Sequence, residues 1–354
     1  MGWDRSKCLN KIMIDLRSDT VTLPTRGMLE AISRAKLGDD VLNEDPTIQK
    51  LEKKSADLSG KEASLLVPSG TMANLTAILA HCKRGDEVIL GNLAHTFLYE
   101  AGGISSLGGV HSCQLKNQKD GTILIEDIKN SIRKDDIHFP TSRLICLENT
   151  HNRCYGFPLQ LDYLISVKSI ADENNLKLHV DGARLFNAAI AIGASIKEIC
   201  EPVDSVTFCL SKGLSAPIGS LVCGDEDFIR KVKRLRKVLG GGMRQAGIIA
   251  AAGIEALDTM PDQLILDHKH AQILAQGLFE IPGAICDPNL VPTNIIYFSI
   301  RENTLGNKNL LDEMEKKGVK FFELSPNNYR LVTHAGISER DVLEVIKIFS
   351  QLLS

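Results

Sequence analysis

The segment Lys-Leu-His-Val-Asp-Gly-Ala-Arg at residues 177–184 decides the fold, together with Ser-Val-Thr-Phe-Cys-Leu-Ser-Lys-Gly at residues 205–213. In each segment, a short apolar run typical of a buried strand is followed at once by a charged or small polar side chain. Asp181 follows the first run, and Lys212 follows the second. The two segments therefore predict neighbouring strands that each deliver a reactive group at the strand end.

Comparable runs recur through the middle of the sequence and alternate with helical patterns. The helical patterns cover residues 71–80 and 161–174. The predicted strands cover residues 63–67, 87–90, 143–147, 177–180, 205–210 and 220–223. This alternation predicts an α/β large domain with a mostly parallel central sheet flanked by helices.

The last third of the sequence predicts a change of architecture. An amphipathic helix over 228–239 stops at three glycines, and a long helical region follows over about 246–280. Beyond a Pro-Gly pair, residues 294–300, 310–317, 329–333 and 339–352 are predicted as strand, helix, strand and helix. We expect an N-terminal segment (1–25), a large domain (26–265) and a smaller C-terminal α+β domain (266–354).

Composition excludes several classes of function. The 354-residue chain has a formal net charge of −3, which argues against a nucleic-acid partner. The basic run between residues 230 and 237 has an apolar stripe, so we interpret it as a solvated amphipathic helix. No stretch is long and apolar enough to cross a membrane.

Cysteine usage predicts a reducing compartment. The nine cysteines are odd in number, form no Cys-x-x-Cys pair and in part lie in apolar runs, which favours buried thiols over disulfides. The N-terminal residues are polar and lack the apolar core of a signal peptide. We therefore expect a soluble, cytoplasmic protein.

Ligands of open α/β sheets collect beyond the carboxyl ends of the strands, so the residues there are candidates for a site. These ends offer Asp181, Lys212, His151 and a Pro-Ser-Gly-Thr helix start at 68–71. A lysine for a Schiff base, a carboxylate for a pyridinium nitrogen and a helix N-terminus for a phosphate are what pyridoxal phosphate (PLP) requires.

Each of these residues also has an ordinary explanation. A lysine at a strand end is commonly a surface residue, Asp-Gly is commonly a turn, and Pro-Ser-Gly-Thr is commonly a helix cap. Their joint occurrence at successive strand ends favours the PLP site. Glycine-rich dinucleotide, Walker, nucleophile-elbow and His-Glu-x-x-His zinc motifs are missing from the sequence, and we expect no metal.

With these residues in view, the sequence resembles the threonine aldolase family of PLP enzymes, from about Ile14 to the last helix. The resemblance implies an aspartate-aminotransferase-like fold and cleavage of β-hydroxy-α-amino acids such as threonine into glycine and an aldehyde. The segments that carry it are 15–22, 38–40, 44–47, 68–72, 148–152, 179–184, 208–214, 240–247 and 330–334.

The resemblance also implies how the cofactor is held. Lys212 would carry PLP as a Schiff base, and Asp181 would pair with its ring nitrogen. His95 would lie over the ring face as a candidate proton acceptor. The phosphate would be cradled by Ser69, Gly70 and Thr71.

For the substrate, the resemblance implies that Arg184, Arg330 and Ser18 hold the carboxylate and the cofactor's phenolic oxygen between them. His151 would lie near the substrate hydroxyl, as a second candidate base. Lys237 and Arg244 would reach the site of a neighbouring subunit, because the family assembles as homotetramers with shared active sites.

Other interpretations stay open at this point. A lyase that eliminates at Cβ, or an aminotransferase, would use the same cofactor. A protein with this fold could also serve in binding or regulation without catalysis. His151 could be a core histidine bonded to backbone, although its place at a strand end favours a functional role.

Overall fold

The computed structural model describes residues 13–302, 304–305 and 309–353. Predictions about residues 1–12, which include the polar N-terminus and the Cys8 thiol, lie outside the described residues. The chain divides into two compact units. The large unit is Thr22–Ile265, and the small unit joins the described residues up to Val21 with those from Leu266 onward.

The elements follow one another in a largely alternating order. The strands are β1 (Ile14–Asp15), β2 (Ala63–Val67), β3 (Glu87–Gly91), β4 (His111–Leu115), β5 (Ser142–Glu148), β6 (Lys177–Asp181), β7 (Ser205–Cys209), β8 (Ser220–Gly224), β9 (Ala284–Ile285), β10 (Ile295–Ile300), β11 (Val319–Lys320), β12 (Phe322–Ser325) and β13 (Asn328–Val332). The helices are α1 (Arg26–Ser33), α2 (Pro46–Ser59), α3 (Gly70–His81), α4 (His95–Leu98), α5 (Gly103–Ser106), α6 (Ile125–Ser131), α7 (Leu161–Glu173), α8 (Leu185–Ile192), α9 (Ile196–Cys200), α10 (Glu226–Val238), α11 (Gly247–Thr259), α12 (Gln263–Phe279), α13 (Leu310–Lys316) and α14 (Glu339–Leu353).

The large unit is built on a seven-stranded sheet with the order β2-β8-β7-β6-β5-β3-β4. Strand β8 is antiparallel to both of its neighbours, and the other pairings are parallel. The predicted α/β class with a mostly parallel sheet is confirmed. The carboxyl ends of β2, β3, β5, β6 and β7 consequently lie along one edge of the sheet.

The inner strands of this sheet are largely apolar and buried because both faces of the sheet are covered, whereas the edge strand β4 is half-exposed. All five residues of β3, β7 and β8 are buried. Helix α2 shows how the flanking helices are delimited. Asp45 caps its first turn, Pro46 occupies its first position, and Gly60 ends it in the left-handed conformation.

The basic run between residues 230 and 237 was interpreted as a solvated helix, and this interpretation is wrong for Arg236 in helix α10. Arg236 is only 2% exposed, not solvated, and its guanidinium donates to the Leu66 carbonyl and to Asp40 Oδ2, each at 2.7 Å. It lies four residues after buried Val232, on the apolar face of the helix. The arginine is therefore part of the buried structure, where its charge is matched by a carboxylate.

The helical region predicted over 246–280 consists of two helices, α11 and α12. The chain turns at Pro261, whose ring lacks the N–H that would continue the first helix. Leu264 is fully buried on the second helix. The prediction of helix was correct, but the proline divides it.

The small unit contains a four-stranded antiparallel sheet with the order β12-β13-β10-β9, and a parallel pair formed by β1 and β11. Its core includes Leu16, Phe298, Leu331 and Phe349. The predicted smaller α+β domain is thus confirmed in kind, and the three-part division of the chain at residues 25 and 265 stays a prediction. Among the described helices, none has the length and hydropathy needed to cross a bilayer.

Candidate active site

Asp181 is the last residue of β6, and its carboxylate is buried at 3% exposure. Its Oδ1 accepts the Ala183 N–H at 3.0 Å, and its Oδ2 accepts from Asn74 Nδ2 at 2.8 Å. Within the described part of the chain, no lysine, arginine or histidine forms an ion pair with it. A buried carboxylate that receives hydrogen bonds but no cation is suited to a cationic ligand group.

Lys212 lies three residues beyond the end of β7, on the turn that leads into β8. Its carbonyl accepts from the Ser215 N–H at 2.8 Å and from the Thr22 hydroxyl at 2.9 Å, which holds the backbone of the turn. The side chain is half-buried. Its charge acts to lower the pKa of His95. Lys212 follows β7 and His95 follows β3, and these two parallel strands end at the same edge of the sheet.

His95 follows β3 and begins the short helix α4. Its Nδ1 lies 2.8 Å from Glu100 Oε1, and ligand atoms of His95, Glu100 and Asp181 all lie within 4.8 Å of one another. Burial by itself lowers the pKa of His95, but the hydrogen bond with Glu100 and the charge of Asp181 outweigh it, so the pKa is raised. The structure thus brings the predicted ring-stacking histidine to the predicted pyridinium partner.

His151 follows β5 and is 1% exposed. Among the described residues, neither of its ring nitrogens has a hydrogen-bond partner, although Glu148 Oε1 is 3.9 Å from Nδ1. The alternative of a core histidine bonded to backbone therefore does not describe this ring. A Cβ on Gly121 would lie 2.7 Å from the Cβ of His151, so this glycine fixes how closely the neighbouring loop approaches.

Glu148 joins the two histidine segments. Its Oε2 accepts the backbone N–H of His95 at 2.7 Å, and its Oε1 accepts the backbone N–H of Asn152 at 2.8 Å. Burial alone raises the pKa of Glu148, but the His151 ring and these two donors together lower it below its ordinary value. One buried carboxylate therefore ties the segment after β3 to the segment after β5.

The predicted phosphate cradle stands at the start of α3. The Ser69 hydroxyl caps the helix by accepting the Met72 N–H at 3.2 Å, and Ser69 and Thr71 are exposed. A Cβ on Gly70 would lie 3.0 Å from Cys209 Sγ, so glycine allows the helix to start against β7. The positive end of this helix dipole is open to an anion.

The predicted substrate-binding residues are distributed over both units. Arg184 stands at the N-terminal end of α8, three residues beyond Asp181, and is 6% exposed. Ser18 and Arg330 belong to the small unit, where Arg330 Nη2 donates to the carbonyl of Arg17 at 3.1 Å. The structure thus brings Ser18 and Arg330 together, and each unit carries an arginine suited to a carboxylate.

Lys237 and Arg244 are exposed on the large unit. Arg244 pairs with Asp39 at 3.0 Å, and its carbonyl accepts the N–H of Asp40. Among the described salt bridges, neither Lys237 nor Arg244 pairs with Asp181 or Glu100.

Sequence reasoning missed four polar residues that support the cluster: Asn74, Glu100, Glu148 and Thr207. A signal was present for Asn74, because it is a polar residue in the apolar helix α3 and is 2% exposed. Its side-chain carbonyl accepts from Thr207 Oγ1 at 2.9 Å. The sequence contains no signal for Glu100, because its contacts with His95 and Asn74 form only when the folded chain brings these residues together near β6.

Comparison with known proteins agrees with this geometry. The model of the beta-eliminating lyase family matches residues 15–301. Low-specificity L-threonine aldolase 1 of Arabidopsis thaliana is 45% identical over 344 residues, covering 96% of each chain. The chain belongs to the threonine aldolase group of the beta-eliminating lyase family. The resemblance inferred from the motifs is confirmed.

Further members and neighbours extend this assignment. The low specificity L-threonine aldolase of Escherichia coli (strain K12) is 46% identical over 333 residues, covering 94% of this chain and 97% of the relative. The solved threonine aldolase of Leishmania major superposes with a TM-score of 0.82 at 18% identity, covering 96% of this chain and all (100%) of that one. Sphingomonas wittichii serine palmitoyltransferase shares the fold with a TM-score of 0.74 at 18% identity, covering 96% and 87%.

Proposed function

We propose that this member of the family is a PLP-dependent lyase that cleaves L-threonine, L-allo-threonine and related β-hydroxy-α-amino acids to glycine and an aldehyde. The observation that carries the proposal is the buried Asp181 carboxylate, which has hydrogen-bond donors but no cationic partner among the described residues. The substrate class is that of the relatives that share nearly half of its residues.

The residues present fit this cofactor. Asp181 offers a carboxylate that has no cationic partner among the described residues, and a pyridinium N–H would neutralise its charge. Lys212 follows β7, the parallel neighbour of β6, and offers an amine with no carboxylate paired to it among the described ion pairs. The open N-terminus of α3 offers backbone N–H groups to a phosphate.

When bound, the cofactor supplies an electron sink for the bond that breaks. Lys212 would hold it covalently through its side-chain amine. Ser69, Gly70 and Thr71 would bind the phosphate, and Asp181 would keep the ring nitrogen protonated. His95 would cover one face of the ring and exclude water from it.

The substrate would be oriented through its carboxylate. Arg330 and Arg184 can each present two parallel N–H donors to a carboxylate, and Ser18 adds a hydroxyl. Anchoring this group would fix the orientation of the substrate in the site, which lowers the entropic part of the barrier. His95 or His151 would then accept the proton of the β-hydroxyl.

We further propose a homotetramer in which Lys237 and Arg244 reach the site of a neighbouring subunit. Support comes from their exposure and from the nearby exposed side chains of Leu42 and Val238, at 63% and 81%. A role in glycine formation and threonine breakdown, in the cytoplasm, agrees with the free thiols of the described cysteines.

A second candidate is elimination at Cβ, which the family description favours. Product analysis separates the two reactions. Incubation of the enzyme with L-threonine and with L-allo-threonine should yield glycine and acetaldehyde in equal amounts, and Lys212→Ala should yield neither. Formation of 2-oxobutanoate in place of glycine would refute aldol cleavage.

A further inference from the structure

Glu100 is the most deeply buried charged side chain in contact with His95, at 2% side-chain exposure. It follows α4 and precedes Ala101 and Gly102, which both have positive φ angles and turn the chain. Its Oε1 meets two partners: His95 Nδ1 and Asn74 Nδ2, each at 2.8 Å. Its Oε2 is buried and has no hydrogen-bond partner among the described residues.

The orientation of the Asn74 amide is determined by its surroundings. Its nitrogen faces two carboxylate oxygens, Glu100 Oε1 and Asp181 Oδ2, each at 2.8 Å. Its oxygen faces the Thr207 hydroxyl at 2.9 Å. A flipped amide would place its oxygen against two carboxylates, so both N–H groups must point to Glu100 and Asp181.

This orientation locates the proton between Glu100 and His95. Oε1 already accepts an N–H from Asn74, and a protonated carboxyl oxygen is a poor acceptor for that donor. The hydrogen in the second contact must then belong to His95 Nδ1. Neutral His95 consequently carries its lone pair on Nε2.

We propose that Glu100 is a positioning residue that keeps His95 protonated on Nδ1, so that Nε2 accepts the proton of the substrate hydroxyl. This inference rests on the proposed function. It also distinguishes the two candidate bases, because no partner among the described residues fixes the tautomer of His151. The arrangement resembles other sites in which a buried carboxylate selects the tautomer of a histidine base.

The charges around His95 determine its acid–base behaviour. Glu100 contacts the ring from its own segment, Asp181 faces it from β6, and Glu148 accepts its backbone N–H from β5. Lys212 acts from beyond β7 with the opposite sign, and the Tyr99 ring lies 5.6 Å away. Removal of the Glu100 charge should therefore make His95 easier to deprotonate.

The test uses the holoenzyme labelled with ¹⁵N-histidine, with the His95 signals assigned from a His95→Gln spectrum. We expect the neutral ring to show a proton on Nδ1. In Glu100→Gln the amide oxygen still accepts this proton, so the tautomer should persist while the pKa of His95 falls by about 1 unit or more. The acid limb of kcat/KM should move to lower pH by the same amount. In Glu100→Leu the tautomer preference should disappear.

An exposed pair of the same type provides the matched control. His138 Nδ1 lies 2.7 Å from Asp136 Oδ1, but the two side chains are 79% and 47% exposed. Asp136→Asn removes a charge of this exposed pair, which water screens, and should leave the His95 tautomer, the His95 pKa and the kinetics unchanged.

Two results would overturn the inference: a neutral His95 with its proton on Nε2, or a Glu100→Gln enzyme whose His95 pKa and acid limb both stay in place. If Glu100→Gln does not fold, the tautomer of the unmodified enzyme decides alone. The ring signals are measured whatever product forms. An enzyme that made 2-oxobutanoate would thus refute aldol cleavage and still report where the His95 proton lies.

Discussion

Two buried aspartates of the large unit, Asp40 and Asp181, are each 3% exposed but have different surroundings. Asp40 meets the guanidinium of Arg236 at 2.7 Å, so its charge is neutralised within the fold. Asp181 receives hydrogen bonds from Asn74 and a backbone N–H, without a cation among the described residues. A buried carboxylate that pairs with a cation of the fold has a structural role. A buried carboxylate without such a partner is a candidate binding site for a cationic ligand group.

The first prediction concerns removal of the buried ion pair between Arg236 and Asp40. Arg236→Met should lower the free energy of unfolding by about 3–5 kcal/mol, because Asp40 is left buried without a cation. Urea denaturation measures this loss, and the double variant with Asp40→Leu should recover much of it. The control is Arg230→Met, because Arg230 pairs with Asp227 on the surface, where such pairs contribute about 0–1 kcal/mol. Equal losses in the two single variants would contradict the account.

The second prediction concerns the buried carboxylate of Asp181. Asp181→Asn removes the charge that we assign to the ring nitrogen, so kcat/KM for L-threonine should fall by about 10²–10³-fold or more. Steady-state kinetics on protein with a measured PLP content checks this. A decrease below tenfold in a fully loaded variant would mean that Asp181 has another role.

A third region of the large unit contains two buried histidines, His81 and His179, that stay neutral. His81 Nε2 and His179 Nδ1 each lie 2.8 Å from Ser205 Oγ, and burial lowers the pKa values of His81 and His179 to about 4 and about 3. Because the unfolded chain binds these protons near pH 6.5, stability is complete above that pH and declines as the pH falls toward the folded values.

Each histidine should contribute a slope of up to about 1.4 kcal/mol per pH unit. Urea midpoints between pH 7.5 and 5 measure the slope, which should be smaller in His81→Gln because that variant lacks one of the two buried rings. An unfolding free energy that stays flat over this range would show that the two rings are not held neutral.

The smallest predicted effect tests the packing against His151. Gly121→Ala places a Cβ 2.7 Å from the His151 Cβ, at a φ of +83°. Gly85 has a φ of +87° with open space around the corresponding Cβ. Both substitutions should cost about 1–2 kcal/mol of backbone strain, but only Gly121→Ala should also lower kcat, by about tenfold, because the ring is displaced. Equal kcat values in the two variants would show that the position of His151 does not affect catalysis.

The sequence predicted the residues that directly follow apolar runs, because such strands end at the same edge of a parallel sheet. Asp181 and Lys212 were found in this way. The edge strand β4 was missed because it is half-exposed and lacks an apolar run. Arg236 was wrongly interpreted as solvated because it is charged, although its position in the helix is on the apolar, buried face. Glu100 could not be found, since its contact depends on how α3 and α4 meet β6, which spacing alone does not determine.

The central claim is that Lys212 binds PLP beside the Asp181 carboxylate, which has no cationic partner among the described residues. Reduction of the holoenzyme with borohydride, followed by peptide mass spectrometry, tests this most directly. The account predicts one phosphopyridoxyl group per chain, on the peptide that contains Lys212. A modification on another lysine, or none on a protein that retains PLP, would contradict it.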